Sequence, residues 1–249
     1  MRRSTRILKE SNMLSGNRVL IVGGTSGIGL AVARAVLERD ATPIVVSRKE
    51  ASVQSALDHL PGSEGGVCDL TDYAQVSALA TAYGPIDHLV FTAGEPLSLV
   101  PLADLTRDVV QDFFSTRFYG AIDVVRAIAP ALRPGGSITL TTGTASDRPG
   151  PGWLLGATVC GATDALTRTL AVELAPVRVN AVSPGVIRSP LWAALDDDAR
   201  QEFFDSAATA LPLNRVGEAE DVALAYVYAM EQQHGTGAIL RVDGGTVLV

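Results

Sequence analysis

The sequence predicts a single α/β domain built on a doubly wound, mostly parallel sheet of seven strands with helices on both faces. Short β-branched runs alternate with longer helical patterns along the chain, as in proteins whose parallel strands are joined by helices. Apolar residues make up 47% of the 249 residues and aromatic residues only 5%, while 24 residues are glycine. Small apolar side chains of this kind favour close packing of helices on a sheet.

The predicted strands are short and rich in Val, Ile and Leu. They span residues 18–22, 42–47, 64–68, 86–91, 137–141, 177–182 and 238–242. The predicted helices are the longer patterns between these runs. They span residues 28–39, 50–59, 72–83, about 106–131, about 153–175 and 218–232, with a shorter one at 196–208. Two of them, within 109–129 and 154–174, are apolar over more than one stripe, which predicts a homodimer or homotetramer.

No linker or low-complexity tract divides the chain, so residues 13–249 are predicted to form one domain. The irregular region at about 186–217 is expected to bind substrate, because long loops in compact domains are usually functional. Within it, Trp192, Phe203 and Phe204 are expected to form an apolar lid. Residues 1–12 carry twin arginines but no apolar run of a secretory signal, and we expect a flexible N-terminal extension.

Charge and cysteine content exclude several classes of function. The net charge of −7 argues against a nucleic-acid partner, which would require clustered Lys and Arg. Cys68 and Cys160 lie far apart without a CxxC spacing, so neither a disulfide framework nor a metal site is predicted. No segment is expected to span a membrane, and a cytoplasmic location fits best.

A glycine-rich turn follows the first predicted strand and opens the first predicted helix. Its glycines are Gly23, Gly27 and Gly29. This spacing allows a sharp turn, close approach to a pyrophosphate and tight packing of the helix start. Unpaired N–H groups at the helix N-terminus then attract the anion. The combination predicts a Rossmann-type fold that binds a dinucleotide.

The end of the second strand bears on the choice of dinucleotide. An NAD-type site would present a carboxylate there, but the chain has Ser47 and Arg48. A guanidinium offers a planar fork of donors to phosphate oxygens. The sequence therefore favours NADP(H) over NAD(H), the alternative being that Arg48 is a solvated cation at the strand end.

From Leu14 to Val249 the chain resembles the short-chain dehydrogenase/reductase family. The resemblance rests on VGGTSGIG at 22–29, CDLTD at 68–72, TAGE at 92–95, ALTRTLAVELAPVRVNAVSPG at 165–185 and GTGAILRVDGG at 235–245. It implies further residues that border the adenine, follow the fourth strand and hold the nicotinamide carboxamide. With the glycine turn and the end of the second strand, the expected cofactor-binding residues are Gly23, Thr25, Ser26, Gly27, Ile28, Gly29, Ser47, Arg48, Cys68, Asp69, Leu70, Thr92, Ala93, Gly94, Pro184, Gly185, Val186, Ile187 and Ser189.

The resemblance also identifies where the family keeps its catalytic Asn, Ser, Tyr and Lys. Counting back from the motif at 165–171 puts the Tyr position at Gly156 and the Lys position at Cys160. The Ser position falls on Gly143 and the Asn position on Arg117. All four residues are replaced on this alignment. The chain contains only two lysines, at positions 9 and 49, and no Tyr-x-x-x-Lys pair.

Two side chains are weak candidates for the role of the replaced catalytic residues, which is to provide the substrate oxygen with a hydrogen bond or a positive charge. Thr142 can donate a hydrogen bond to a substrate carbonyl, although a threonine at a strand end is more often structural. Arg117 can stabilise an oxyanion, although a cation that braces the cofactor or an interface is the alternative. Cys160 is expected to be a buried, inert thiol, since no histidine is placed nearby in sequence.

Three functions remain open at this point. The chain is expected to be an oxidoreductase that acts with NADP(H) on a small carbonyl or hydroxyl compound, with an atypical proton donor. The alternatives are a non-catalytic NADP(H)-binding sensor or inactive partner subunit, and an enzyme that uses the same pocket for a non-redox dehydration or isomerisation.

Overall fold

The computed structural model describes residues 12–97 and 99–249, which form one seven-stranded parallel sheet with helices on both faces, as predicted. The strands are β1 Arg18–Val22, β2 Thr42–Ser47, β3 Glu64–Val67, β4 Ile86–Phe91, β5 Leu132–Thr141, β6 Arg178–Pro184 and β9 Ile239–Val242. Their order across the sheet is β3-β2-β1-β4-β5-β6-β9. A separate parallel pair joins β7 Ile187–Arg188 to β8 Gly217–Glu218.

The helices lie close to the predicted positions. They are α1 Gly27–Leu37, α2 Glu50–Leu57, α3 Tyr73–Tyr83, α4 Arg107–Phe114, α5 Gly120–Ile128, α6 Leu154–Glu173, α7 Asp197–Ala210 and α8 Ala219–Glu231. Side-chain caps fix several of their N-termini, since Asp72, Thr106 and Asp196 each accept hydrogen bonds from first-turn N–H groups.

Successive side chains of each strand point to opposite faces of the sheet and so contribute to two separate apolar layers. In β1, Val19 and Ile21 pack with α1 and α8 on one face, while Leu20 and Val22 pack with α3 and α5 on the other. Side chains of a strand point to opposite faces in turn, so a fully buried strand must be apolar throughout. This double burial holds the carboxyl ends of the central strands in fixed positions.

One predicted helix is interrupted. The sequence pattern predicts a continuous helix over about 106–131, but a π-helical turn at Ser115–Tyr119 separates α4 from α5. A π-turn accommodates one extra residue while the chain remains helical, so the apolar pattern on either side does not reveal it. Such turns are frequent at functional sites, and this one carries Arg117.

The predicted N-terminal extension lies almost wholly outside the described residues, which begin at Asn12. Asn12 itself is exposed, and its side-chain amide donates to the Arg39 carbonyl and the Asp40 carboxylate. The extension at 1–11 stays a prediction.

A buried histidine gives the fold a pH-dependent stability. His88 in β4 is only 4% exposed. Asn17 donates to its Nε2 at 3.1 Å, which leaves Nδ1 to donate to the Ser137 hydroxyl at 2.8 Å. The pKa of His88 is lowered from 6.5 to about 4, mainly by burial and also by the charge of Arg178, while the charge of Asp87 opposes the shift. The folded chain therefore holds this ring neutral.

Because the unfolded chain binds this proton at a higher pH than the folded chain, stability is lost on acidification. The pKa values of 6.5 and about 4 bound the window in which this happens. We expect His88 to lower the free energy of unfolding by about 2 kcal/mol between about pH 7 and pH 5. Urea titrations of the wild type and His88→Gln will show this slope and its loss. The exposed His59 provides the control, since His59→Gln should keep the wild-type slope.

Candidate functional site

A deep cleft opens at the carboxyl ends of β1 and β4, where the strand order of the sheet reverses. This switch point is the usual ligand site of doubly wound sheets. The cleft has a volume of about 510 Å³, and every one of the cofactor-binding residues expected from the sequence lines it. The folded chain thus brings together residues from five separate segments.

Close backbone packing explains the glycines of the first turn. A Cβ atom at Gly23 would lie 2.6 Å from the Ala93 nitrogen, and one at Gly29 would lie 2.2 Å from the Gly23 carbonyl oxygen. Gly23 and Gly27 also have positive φ angles, of 89° and 49°. No side chain caps the N-terminus of α1 at Ser26, so its first-turn N–H groups remain available to an anion. The turn therefore fits the pyrophosphate of a dinucleotide.

Arg48 lies at the rim of the cleft, directly after β2, with its side chain 58% exposed. Its Nη1 is 3.7 Å from Oε1 of Glu95. The other acid nearby, Asp69, accepts hydrogen bonds from the Thr71 N–H at 2.9 Å and hydroxyl at 2.7 Å. These two hydrogen bonds are the main reason that the pKa of Asp69 is lowered, and the charge of Arg48 lowers it by a smaller amount.

The segment after β6 closes the far side of the cleft. A Cβ atom at Gly185 would lie 2.8 Å from the Asp243 Cα, so only glycine fits between β6 and the C-terminal segment. A Cβ atom at Gly27 would lie 3.2 Å from the Pro190 side chain, which shows how closely the glycine turn and the segment after β7 approach. The cleft is therefore bounded by the glycine turn on one side and residues 184–190 on the other.

The four positions to which the sequence analysis assigned the family's catalytic residues line this same cleft. They are Arg117, Gly143, Gly156 and Cys160. A Cβ atom at Gly143 would lie 3.2 Å from the Cys160 sulfur, and one at Gly156 would lie 3.5 Å from the Trp153 ring. Within the described residues, the lining contains no tyrosine and no lysine.

Arg117 is held by the loop after β4. Its guanidinium donates to the Glu95 carbonyl and lies 3.5 Å from the Glu95 carboxylate. It also lies 4.6 Å above the Phe113 ring, and its side chain is only 12% exposed. Burial lowers the pKa of Arg117 and the charge of Glu95 opposes this, so the group stays a cation. Among residues 12–97 and 99–249, only Glu95 accepts hydrogen bonds from this guanidinium, so further N–H donors remain for other oxygens in the cleft.

The other weak candidate is committed to a backbone partner. The Thr142 hydroxyl donates to the Cys160 carbonyl at 3.0 Å, and Thr142 is 9% exposed. Cys160 beside it is a protonated thiol, because burial raises its pKa to about 11. A thiol that stays protonated is a poor nucleophile. Of the two candidates, Arg117 is the one with donors to spare.

Sequence reasoning missed Glu95, Phe113, Thr116 and Trp153, all of which line the cleft. Glu95 had a detectable signal, since it directly follows the Thr92-Ala93-Gly94 segment already assigned to the cofactor. Phe113 and Thr116 had none, because their approach depends on the π-turn.

The expected lid residues meet in an aromatic cluster rather than all facing the cleft. Trp192 lines the cleft, and its ring lies 4.5 Å from Phe203 and 6.1 Å from Trp153. Phe204 is buried behind them, with the Arg188 guanidinium 4.6 Å from its ring centre. The cluster fixes an apolar wall beside Gly156.

Residues 12–97 and 99–249 contain no group of three or more His, Cys, Asp or Glu side chains arranged to hold a metal ion. None of their helices combines the length and apolar character that a membrane crossing requires.

Comparison with known proteins agrees with this geometry. A family model described as an SDR-like Rossmann domain matches residues 10–249. The short-chain dehydrogenase/reductase MalC of Malbranchea aurantiaca is 34% identical over 258 residues, which cover 96% of this chain and 98% of MalC. The solved structure of MalC, described as a reductase/Diels-Alderase, matches with a TM-score of 0.88 over 96% of this chain and 99% of its own.

Two solved structures with NADPH are also similar. A small-chain dehydrogenase in complex with NADPH matches with a TM-score of 0.82 and 32% identity, over 94% of this chain and 100% of its own. An NADPH-bound short chain oxidoreductase from Pseudomonas aeruginosa PAO1, described as containing an atypical catalytic center, matches with a TM-score of 0.83 and 27% identity, over 92% of this chain and 96% of its own. The chain belongs to the short-chain dehydrogenase/reductase family.

Proposed function

We propose that the chain is an NADP(H)-dependent oxidoreductase that acts on a small carbonyl or hydroxyl compound without the family's Ser, Tyr and Lys. The observation that carries this proposal is Arg117, a buried cation with N–H donors beyond those that bind Glu95. It lies in a cleft that, among the residues the structure describes, is lined by no tyrosine and no lysine. The NADPH-bound relative with an atypical catalytic center supports it, because a chain of this fold binds the cofactor with an unusual centre.

The chain's own residues hold and orient the cofactor. The turn at 23–29 receives the pyrophosphate, Ser47 and Arg48 receive a 2′-phosphate, and the segment 184–189 borders the nicotinamide. When bound, the nicotinamide supplies or accepts the hydride. The apolar wall beside Gly156 keeps water away from this end of the cleft and raises the strength of electrostatic interactions there.

In this proposal Arg117 stabilises the negative charge that develops on the substrate oxygen. A preorganised cation in a site shielded from water costs little reorganisation at the moment of reaction. The proton comes from water or from an acidic hydroxyl on the substrate itself. Thr142 stays a weaker candidate, since its hydroxyl already donates to Cys160.

The lining favours a substrate with a ring or acyl group. Leu97, Trp153, Leu191 and Trp192 line the cleft, and the first two lie nearest to the position that a Cβ of residue 156 would take. Apolar and aromatic walls with few polar groups are typical of sites for such compounds.

A substrate panel tests the proposed activity. The purified protein should consume NADPH with at least one member of a broad set of ketones and quinones, followed by the absorbance of the reduced nicotinamide. Tight NADPH binding with no turnover across the set would favour the second candidate, an NADP(H)-binding sensor or inactive partner subunit. Product formation with an unchanged nicotinamide spectrum would instead indicate a non-redox reaction.

Arg48 provides a separate test of the cofactor preference. We expect Arg48→Ala to weaken NADPH binding by about tenfold or more, because a charge-assisted hydrogen bond to the 2′-phosphate is lost, and to leave NADH binding within about twofold. Fluorescence titrations with both nucleotides measure this. Equal losses for NADPH and NADH would contradict a 2′-phosphate site at Arg48.

We also propose that the chain is a homo-oligomer, although the number of subunits is open. Val109, Tyr119 and Ile122 on the helices at 107–128, together with Leu154 and Val172 on α6, are exposed apolar side chains. Because α6 packs against α4 and the π-turn, these elements offer exposed apolar surface of the kind that marks interaction sites. Light scattering after gel filtration measures the subunit number, and a monomer would contradict the proposal.

A further inference from the structure

Three charged side chains form a row along the cleft, and Glu95 is the middle one. Its Oε1 lies 3.7 Å from Nη1 of Arg48, and its Oε2 lies 3.5 Å from Nη1 of Arg117. The Thr116 hydroxyl donates to the same carboxylate at 2.9 Å. Glu95 thus links the proposed 2′-phosphate site to the proposed oxyanion site.

The two ends of this row differ in strength. The Arg48 side chain is 58% exposed, and exposed ion pairs contribute little because water competes for both charges. The Arg117 side chain is 12% exposed, and Thr116, its neighbour in the π-turn, donates to Oε1 of Glu95, so the turn holds both oxygens of this carboxylate. An anion that arrives at Arg48 therefore displaces the Glu95–Arg48 contact before it disturbs the Glu95–Arg117 contact.

Glu95 is also the acid that contacts Arg48. Asp69 lies near enough for its charge to interact with Arg48, but both Thr71 hydrogen bonds go to its Oδ1, and no ion pair among the described residues joins it to Arg48. Among the ion pairs of the described residues, Glu95 is the partner of Arg48.

We propose that Glu95 is a specificity-determining residue, a built-in competitor for Arg48 that sets how strongly the cleft selects a 2′-phosphate. The inference rests on the proposed NADP(H) function. Without a phosphate, Glu95 neutralises Arg48. A bound 2′-phosphate must replace that contact and then lies close to the Glu95 carboxylate, which repels it. The charge of Glu95 therefore lowers the preference for NADP(H) over NAD(H) below the preference that Arg48 would give without Glu95.

The test uses calorimetric titration of the full chain with adenosine 2′,5′-bisphosphate and with AMP, which differ only in the 2′-phosphate. Glu95→Gln keeps the shape of the side chain and removes its charge. We expect the Glu95→Gln variant to bind the bisphosphate about fivefold more tightly than the wild type does, because an exposed competing ion pair is removed. Its affinity for AMP should stay within about twofold of the wild-type value. The gain should shrink when Arg48→Ala is combined with Glu95→Gln.

A matched control separates this effect from net charge. The Glu231 carboxylate lies 3.6 Å from the Arg39 guanidinium, and the Glu231 side chain is 32% exposed. The Glu95–Arg48 pair is similar, with a distance of 3.7 Å and a Glu95 side chain that is 39% exposed. Glu231 does not line the cleft. Glu231→Gln should change neither titration, and an equal gain from this variant would overturn the proposal.

The outcomes distinguish this inference from the proposed function. If the wild type prefers the bisphosphate but Glu95→Gln leaves the preference unchanged, the role of Glu95 is overturned and the cofactor preference stands. If the wild type binds both probes equally and only Glu95→Gln selects the bisphosphate, the role of Glu95 is supported and the proposed preference of the wild type fails. Equal binding by both proteins overturns both.

Discussion

Arg117→Ala is expected to lower turnover of the carbonyl substrate by about a hundredfold or more, the usual cost of removing one group that stabilises a developing oxyanion. Binding of NADPH should stay within about threefold of the wild type, because the residues proposed to hold the cofactor lie on other segments. Arg117→Lys should recover only part of the loss, since an ammonium keeps the charge but lacks the planar fork. Steady-state kinetics and a nucleotide titration measure the two effects separately.

Arg126→Ala serves as the control for this prediction. Arg126 lies on α5, close to Arg117 in sequence, but its side chain is 61% exposed and pairs with Asp123. Its removal should leave turnover unchanged. Thermal unfolding of each variant excludes a general loss of structure as the cause. Full turnover by Arg117→Ala would move the proposed role to Thr142, water or the substrate.

Gly23→Ala is expected to lower the free energy of unfolding by about 3 kcal/mol or more, through unfavourable backbone conformation and steric overlap. The φ of 89° is unfavourable for alanine, and the added Cβ would lie 2.6 Å from the Ala93 nitrogen. The displaced turn can no longer approach a pyrophosphate, so NADPH binding should fall below detection. Urea unfolding and nucleotide titration test both parts.

Gly16→Ala separates the two causes. Gly16 has a similar φ of 77°, but a Cβ atom there would have no neighbour within 4 Å. This variant should lose only about 1–2 kcal/mol, from the backbone alone, and should bind NADPH normally. Equal losses of stability in the two variants, with cofactor binding intact in both, would contradict the steric argument for Gly23.

The sheet, and the cleft in which the glycine turn lies, could be predicted because their signals are local. A buried parallel strand must be apolar on both faces, and β1 shows this in the four residues VLIV at 19–22. The glycines at 23 and 29 are required by close backbone approaches, so residue type and spacing alone reveal them.

The surroundings of Arg117 could not be predicted because they depend on an irregular turn and on long-range pairing. The π-turn at Ser115–Tyr119 is followed by Gly120, where a Cβ would lie 3.2 Å from the Leu70 side chain. Glu95 lies 22 residues before Arg117 in the chain and contacts it only in the fold. Neither the turn nor the pairing leaves a periodic signal in the sequence.

The space beside Gly143 is limited by the Cys160 sulfur, which couples the residue types that these two positions can hold. On the proposed alignment these are the family's Ser and Lys positions, and a Cβ at Gly143 would lie 3.2 Å from the Cys160 sulfur. A serine introduced at 143 must therefore displace this sulfur by a few tenths of an ångström while Cys160 remains. The cost of a serine at 143 therefore depends on which side chain stands at 160, so substitutions at these two positions are not independent.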